Sequence, residues 1–478
     1  MNWKNILKSF KNRDMQKRLA IVIGILITYR FLAHVPIPLA EPTTLKEVIK
    51  QIVTANTTTF GGFIDLLSGG AITSFSIIMA GLGPFITASI AAQLLTKAIP
   101  KLEEMHKDGE SGRKKINQWT RVAAVPLAVA QSVAFIYILR NSVLAGTQVV
   151  ETINSATIFQ WVIAITAMSA ASIMLMWLGE LITEQGIGNG ISLLVFAGIL
   201  SQLPSNLGYI WNLITDTSMG KLNVFGWFEL PISAIGTFSV IGLLIIGIIT
   251  LYYLVKINEA QRIIVINYAK RVRGNTEYDG IKSILPIKLI AAGVIPIIFA
   301  VAFLSLPAFI GQILVASGNE SWTGIGRVLI DFFQQHRLDP SSNLDITWKM
   351  FVYPSAYFLL VVMFTYFYTG IVINSNEIAE NLQKSGAFIS GVRPGLQTEK
   401  YLAAVVNRLT LFGSIVLGFI SIMPFILELV FTGMLGIKSE VSMAIGGTGL
   451  LIVVSVGLET LRQINSRALM ITYDDYKD

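Results

Sequence analysis

The chain has 478 residues, 53% of them apolar and only 14% charged, with a formal net charge of +7 and no cysteine. Soluble domains carry roughly 25% charged residues. A chain this poor in charge excludes an ordinary water-facing surface, and lipid is the solvent that accepts its excess apolar area. The missing cysteines exclude disulfides, thiol nucleophiles and thiolate metal sites. The basic balance fits membrane topology and anionic lipid contact better than nucleic acid.

In chain order, Trp3, Ile6, Leu7 and Phe10 recur at helical spacing among lysines. They predict a short basic amphipathic helix on the membrane surface within 1–18. Crossing hydrocarbon takes about 20 apolar residues. Runs of that scale fall at 19–39, 74–98, 121–141, 158–179, 189–209, 231–256, 285–312, 351–374, 405–430 and 442–461, and residues 462–478 form a tail. The first run is too long for a cleaved signal peptide and reads as a retained span. Ten spans put both termini on one side. With the N-terminus cytoplasmic, 27 of the 36 Lys and Arg fall on cytoplasmic segments, 8 on the opposite side, and Arg30 within the first span. That asymmetry fixes the orientation, with both termini cytoplasmic.

Between the first two spans lies Phe60-Gly61-Gly62-Phe63-Ile64-Asp65-Leu66-Leu67-Ser68. It is too short to cross, and reads either as a re-entrant, plugging helix or as a surface helix in a loop. Gly69-Gly70 then supplies a hinge. Two long basic loops follow. One runs from Lys97 to Arg121. The other runs from Lys256 to Lys288 and carries Arg262, Lys270, Arg271 and Arg273. Each is a topological signal, a docking face, or both.

Several chemistries are missing. The sequence holds no nucleotide-binding P-loop, no H-E-x-x-H and no G-x-S-x-G, and His34, His106 and His336 are dispersed. No cofactor or metal is expected, and no enzyme activity. Ionisable residues inside spans are few, namely Arg30 and His34, with Glu180, Glu428 and Glu459 near span ends. A mid-membrane carboxylate pair, which a proton-coupled transporter would need, is not evident. The spans offer glycine and proline instead, in 80–86, 186–190, 292–296 and 446–449. These residues allow close packing, or a bundle able to rearrange.

Several long strings occur in order: SGGAITSFSI (68–77), PKLEEMHKDGESGRKKINQWTR (100–121), MWLGELITEQGIGNGISLLVFAGI (176–199), LPIKLIAAGVIPIIFA (285–300), GVRPGLQTEKYLAAVVNRLTLFG (391–413) and IGGTGLLIVV (445–454). Over about residues 1–473 the chain resembles the SecY family, the channel-forming subunit of the Sec protein translocase, in its bacterial form. The resemblance implies an all-α fold of ten transmembrane helices in two pseudo-symmetric inverted halves, 19–209 and 231–461, with a re-entrant plug over Phe60–Ser68. It implies a waist ring of Leu82, Ile86, Ile191, Val195, Ile298 and Ile452, and a lateral gate between spans 2 and 7 with Gln93 a contact there. It also implies docking of a SecA ATPase motor or the ribosome on cytoplasmic loops 256–288 and 375–404, through Arg262, Lys270, Arg271, Arg273 and Arg393. SecE-type and SecG-type subunits, signal sequences, preproteins and anionic lipids are the remaining implied partners. The implied location is the bacterial plasma membrane.

Three departures from the family pattern stand out. Gly83 replaces the usual Met before Pro84, Ile264 replaces a common Pro, and Leu82 and Val195 replace Ile. An aliphatic waist excludes water and makes ion passage costly. The rival expectation is a secondary transporter for a small solute, which shares broken helices and inverted repeats but needs a polar midplane site.

Overall fold

The computed structural model describes residues 12–38, 76–143, 157–215, 221–224, 228–268, 271–273, 276–278, 282–293, 295–333, 348–435 and 448–474. The surface helix expected before residue 12, the plug segment 60–68 and Lys270 lie outside these residues. The architecture is predominantly helical, and a helix occupies part of each of the ten apolar stretches. Six helices among the described residues are long and apolar enough to cross a membrane by themselves.

In the N-terminal half, α1 is Arg13–Leu32, α2 Gly83–Ala98, α3 Pro100–Lys107, α4 Glu110–Val143, α5 Ile158–Gln185, α6 Gly190–Leu200 and α7 Leu203–Thr215. A hairpin of β1, Lys221–Val224, and β2, Phe228–Ser233, leads to α8, Ala234–Glu259. Strands β3 (Gln261–Tyr268), β4 (Arg271–Arg273), β5 (Thr276–Tyr278) and β6 (Lys282–Lys288) follow. Then come α9, Ile295–Ala316, α10, Glu320–Phe333, α11, Lys349–Val372, and α12, Ser375–Lys384. Strand β7, Ala387–Ile389, precedes α13, Leu396–Leu435, and α14, Thr448–Asp474.

Lipid leaves no water to satisfy backbone groups, so these apolar runs must pair their own N–H and C=O as helices. Hydroxyls inside them follow the same rule. Thr365 and Thr369 donate to the Val361 and Thr365 carbonyls at 2.6 and 2.7 Å, and Thr410 and Ser421 do likewise to Val406 and Leu417 at 2.8 Å. The break between α5 and α6 has a specific chemistry. Gly186 ends α5 in the left-handed region, at φ 66°. The Asn189 side chain then accepts from the Ile191 and Ser192 amides at 3.1 and 3.2 Å and starts α6. Gly190 lies against the Gly179 carbonyl, where no β-carbon fits.

Helices α1, α2, α4, α5 and α6 pack on one another, as do α8, α9, α11, α13 and α14. The two sets meet along two seams. On one, α9 contacts α2 and α4; on the other, α6 contacts α14. Outside these seams, α9 crosses α10 through glycine on both sides. A β-carbon on Gly311 or Gly326 would lie 2.8 or 2.6 Å from the other's carbonyl oxygen.

Element boundaries differ from the sequence reading at several points: the run 189–209 is split into α6 and α7, α13 begins at Leu396 rather than 405, and α14 continues to Asp474 rather than ending at 461. Four more differences have a local cause or replace an expected loop. The loop expected from Lys97 to Arg121 is helical, as α3 and the start of α4. The seventh span begins at Ile295 rather than 285, because Lys282–Lys288 is a strand paired along its length with β3. The second helix begins at Gly83 rather than 74, because Ser76 bridges to Pro36 and Gly81 turns the chain at φ 55°. The first helix ends at Leu32, short of the expected 39, before that same bridge.

Gly190→Ala should lower the stability of the detergent-purified complex by about 1–3 kcal/mol, the usual cost of overpacking. A thermal melt against the unaltered protein reads this directly.

Candidate functional site

Leu82 ends the turn before α2, and Ile86 lies one helical turn further on. Ile191 and Val195 repeat the i, i+4 spacing on α6, so each pair shares one helix face. Ile298 comes from the first turn of α9 and Ile452 from the first turns of α14. Leu82, Ile86, Val195, Ile298 and Ile452 are all buried, at 5% exposure or less, within one contiguous apolar cluster, and Ile191 packs against it. Four helices supply these six side chains, two from each half. Of the six, none carries a polar atom in its side chain.

The seam of α9 with α2 and α4 joins the halves on one side. Phe135 of α4 and Phe309 of α9 meet across it with ring centroids 5.3 Å apart and a tilt of 56°. Ile37, Met79, Ala80, Ile136, Ala164 and Met168 share the buried cluster of Phe135, and Phe309 packs against it. Gln93 on α2 donates to Ser89 Oγ at 3.3 Å, while its own Oε1 is buried without a hydrogen-bond partner among the described residues. A β-carbon on Gly83 would lie 3.3 Å from Gln131 Oε1 of α4. The departure to glycine therefore lets α4 bring an amide close to the start of α2.

The two basic loops expected after spans 6 and 8 form one structure. Strand β3 is central, with β6 on one side and β7 on the other, both antiparallel. Asn267 donates to Ser390 Oγ at 2.6 Å and ties the strands further. The inner face has its own small core, with Ile264, Ile287, Ile389, Ala379, Leu402 and Val406. Ile264 faces this core, which accounts for an aliphatic residue there. Arg262 lies exposed on β3, and Arg271 and Arg273 lie on β4, which pairs with β5. Arg393 is exposed beyond β7, and its carbonyl accepts from Thr398 Oγ1 at 2.9 Å. At the end of β6, the Lys288 ammonium is held below its ordinary pKa by desolvation and by Arg462, with Glu459 opposing.

Five of the six candidate ring residues thus belong to the main buried core, and Ile191 packs against it. Arg262, Arg271, Arg273 and Arg393 sit on the paired loops, and Gln93 lies on the helix that meets α9. The Phe135–Phe309 pair was missed by sequence reasoning, because no periodicity links two phenylalanines on distant spans. Glu180 at the end of α5 pairs with Arg121 at 2.6 Å, in keeping with an interfacial role. Among the described residues no group of three or more His, Asp or Glu could hold a metal ion.

Comparison with known proteins identifies the family. The SecY family model matches residues 76–461. The chain is 35% identical to the protein translocase subunit SecY of Streptomyces galbus over 471 residues, covering 98% of both chains. It is 35% identical to the same subunit of Corynebacterium glutamicum over 471 residues, again 98% of both. Among solved structures it resembles a protein conducting channel at 19% identity and TM-score 0.62, over 94% of this chain and 91% of that one. It resembles Sec61 from a canine ribosome–channel complex at 16% identity and TM-score 0.54, over 94% and 91%. The chain belongs to the SecY family and is an integral membrane protein with the fold and function of a protein translocation channel.

Proposed function

We propose that the six-residue aliphatic cluster is the constriction of this channel, and that it opens to pass unfolded polypeptide and closes to hold ions back. The observation that supports this reading is that Leu82, Ile86, Val195, Ile298 and Ile452, from both halves, are buried in the one apolar core they share, with Ile191 packed against it. Aliphatic side chains at a narrow waist repel water and ions. They also deform around a passing chain without binding it. The segment Phe60–Ser68 is the plug that backs this seal.

The seam of α9 with α2 and α4 is the lateral gate. A signal sequence or an emerging transmembrane helix leaves through it, because lipid suits an apolar helix better than an aqueous path. The three-stranded sheet, with Arg262, Arg271, Arg273 and Arg393 together with Lys270, is the docking face for an ATPase motor of the SecA type or for the ribosome. Resemblance to Sec61 in a ribosome–channel complex supports the latter. Small SecE-type and SecG-type subunits complete the assembly, which sits in a bacterial plasma membrane with both termini cytoplasmic and its basic loops against anionic lipid. The energy comes from those partners, and this chain carries out no catalysis of its own.

Reconstituted with its small partner subunits in a planar bilayer, the protein should be electrically silent. Deleting 60–68 and changing Ile86, Ile191 and Ile452 to Gly should make it leak. Equal silence from both, with folding verified, would remove these residues from the pore and favour a solute transporter.

Two gate substitutions should act in opposite directions. Gln93→Leu removes a buried amide oxygen that costs about 1–3 kcal/mol when unsatisfied, so the closed gate gains. Phe309→Ala removes an aromatic contact worth about 0.5–1.5 kcal/mol beyond its area, so the closed gate loses. Export of a preprotein with a weakened signal sequence into proteoliposomes should slow with the first and quicken with the second.

A further inference from the structure

Helix α14 carries two arginines that end on the carboxyl termini of two other helices, one in each half. Arg462 Nη2 donates to the Asn258 carbonyl at 2.9 Å, in the last turn of α8. Five residues later, the Arg467 guanidinium lies against Gly186, the residue that ends α5. A β-carbon there would fall 2.6 and 2.8 Å from Arg467 Cζ and Nε, and closer still to Nη2. The last turn of α5 has no basic residue of its own, although the carbonyl end of a helix favours a cation. The cations come from elsewhere in the fold. Arg18 of α1, steadied by Asp14 at 2.9 Å, donates to the Gln185 carbonyl at 3.2 Å from one side. Arg467 arrives from the other.

The contact between the halves is reinforced beneath the arginines. A β-carbon on Gly188 would lie 3.2 Å from Thr460 Oγ1 of α14, and Ile182, Ile187 and Ile464 share one apolar cluster. Gly186 is glycine for two reasons at once. Its φ of 66° suits no β-branched or bulky residue, and its open face receives the guanidinium. Along the same helix, Ile452 stands ten residues before Arg462, about 15 Å away at the helical rise. A stiff helix therefore connects the two arginines to the candidate constriction.

We infer that α14 is a brace across the two halves, with Arg467 on the end of α5 and Arg462 on the end of α8, and that Arg467 positions Ile452 in the closed constriction. Separation of the halves on this seam must draw the guanidinium off Gly186. The inference rests on the constriction proposed above. Its test therefore begins with the unaltered complex in a planar bilayer, silent at rest and opened by a synthetic signal peptide. Failure of that step counts against the constriction and not the brace.

Arg467→Ala should then raise the resting open fraction about fivefold, the effect of weakening one modest interaction, with signal-peptide opening retained. Arg467→Lys keeps the cation and should leak less than Arg467→Ala. Gly186→Ala should leak by displacing the guanidinium, and combining it with Arg467→Ala should add little. A folded Arg467→Ala complex with the parent's resting conductance would overturn the proposal. So would a lowered melting temperature with the seal unchanged, since Arg467 would then be a packing residue only.

Discussion

The proposed waist depends on apolar side chains from both halves of the chain meeting within the main core, and on that reading the rest of the molecule is organised so that this contact can be made and undone. A membrane channel for polypeptide must be impermeable at rest, yet no covalent or strongly polar bond could serve as the seal, because each opening would have to break it. Branched aliphatic groups meet both demands. Leu82, Ile86, Val195, Ile298 and Ile452 are buried in the apolar core, and as the proposed waist they would exclude water while packed and leave no unsatisfied polar group behind when they separate. Opening costs only the apolar area returned to water or to the passing chain.

Everything around the waist has to stay rigid while the waist itself changes. Lipid enforces this for the helices, whose backbone pairs are internal and whose hydroxyls fold back on the preceding turn. Glycine-lined crossings, Gly190 on Gly179 and Gly311 with Gly326, draw neighbouring helices within a half into contact too close for a side chain. The seams between the halves are built differently. The α9 seam relies on aromatic and aliphatic contacts such as Phe135 with Phe309, and α2, which meets α9 there, carries a buried amide oxygen on Gln93 without a hydrogen-bond partner among the described residues. The other seam has α6 against α14, with arginine on a helix end. On the proposed reading, one seam parts laterally, while the other holds the halves together until the channel opens.

Much of this was legible in the sequence, and what was missed follows from local pattern. Hydropathy found a helix in each of the ten stretches because lipid leaves little alternative for such runs. Prolines at 126, 307, 354 and 424 lie inside helices without ending them. The start of α9 differs from the sequence reading because Ile284 to Ile287 is apolar enough to extend a span, although its partner stretch, Arg262 to Val265, lies a loop away. A short apolar run does not by itself distinguish strand from helix. The union of the loops after α8 and α11 into one sheet depends on β7, three residues long, which has no pattern of its own. The ring residues came only from family resemblance, since in a chain this apolar every aliphatic residue looks alike. The arginines of α14 read as ordinary positive-inside charge, and only their geometry against α5 and α8 sets them apart.

The central claim is that polypeptide passes through the six-residue waist, and cross-linking tests it most directly. The chain contains no cysteine, so single cysteines at Ile86, Ile191, Ile298 and Ile452 can be paired with a cysteine in a preprotein stalled during export, with outward-facing Ile248 as the control. The account predicts disulfides at the four ring positions and none at Ile248. Cross-linking at Ile248 equal to that at the ring, or none at the ring while the preprotein is stalled, would contradict it.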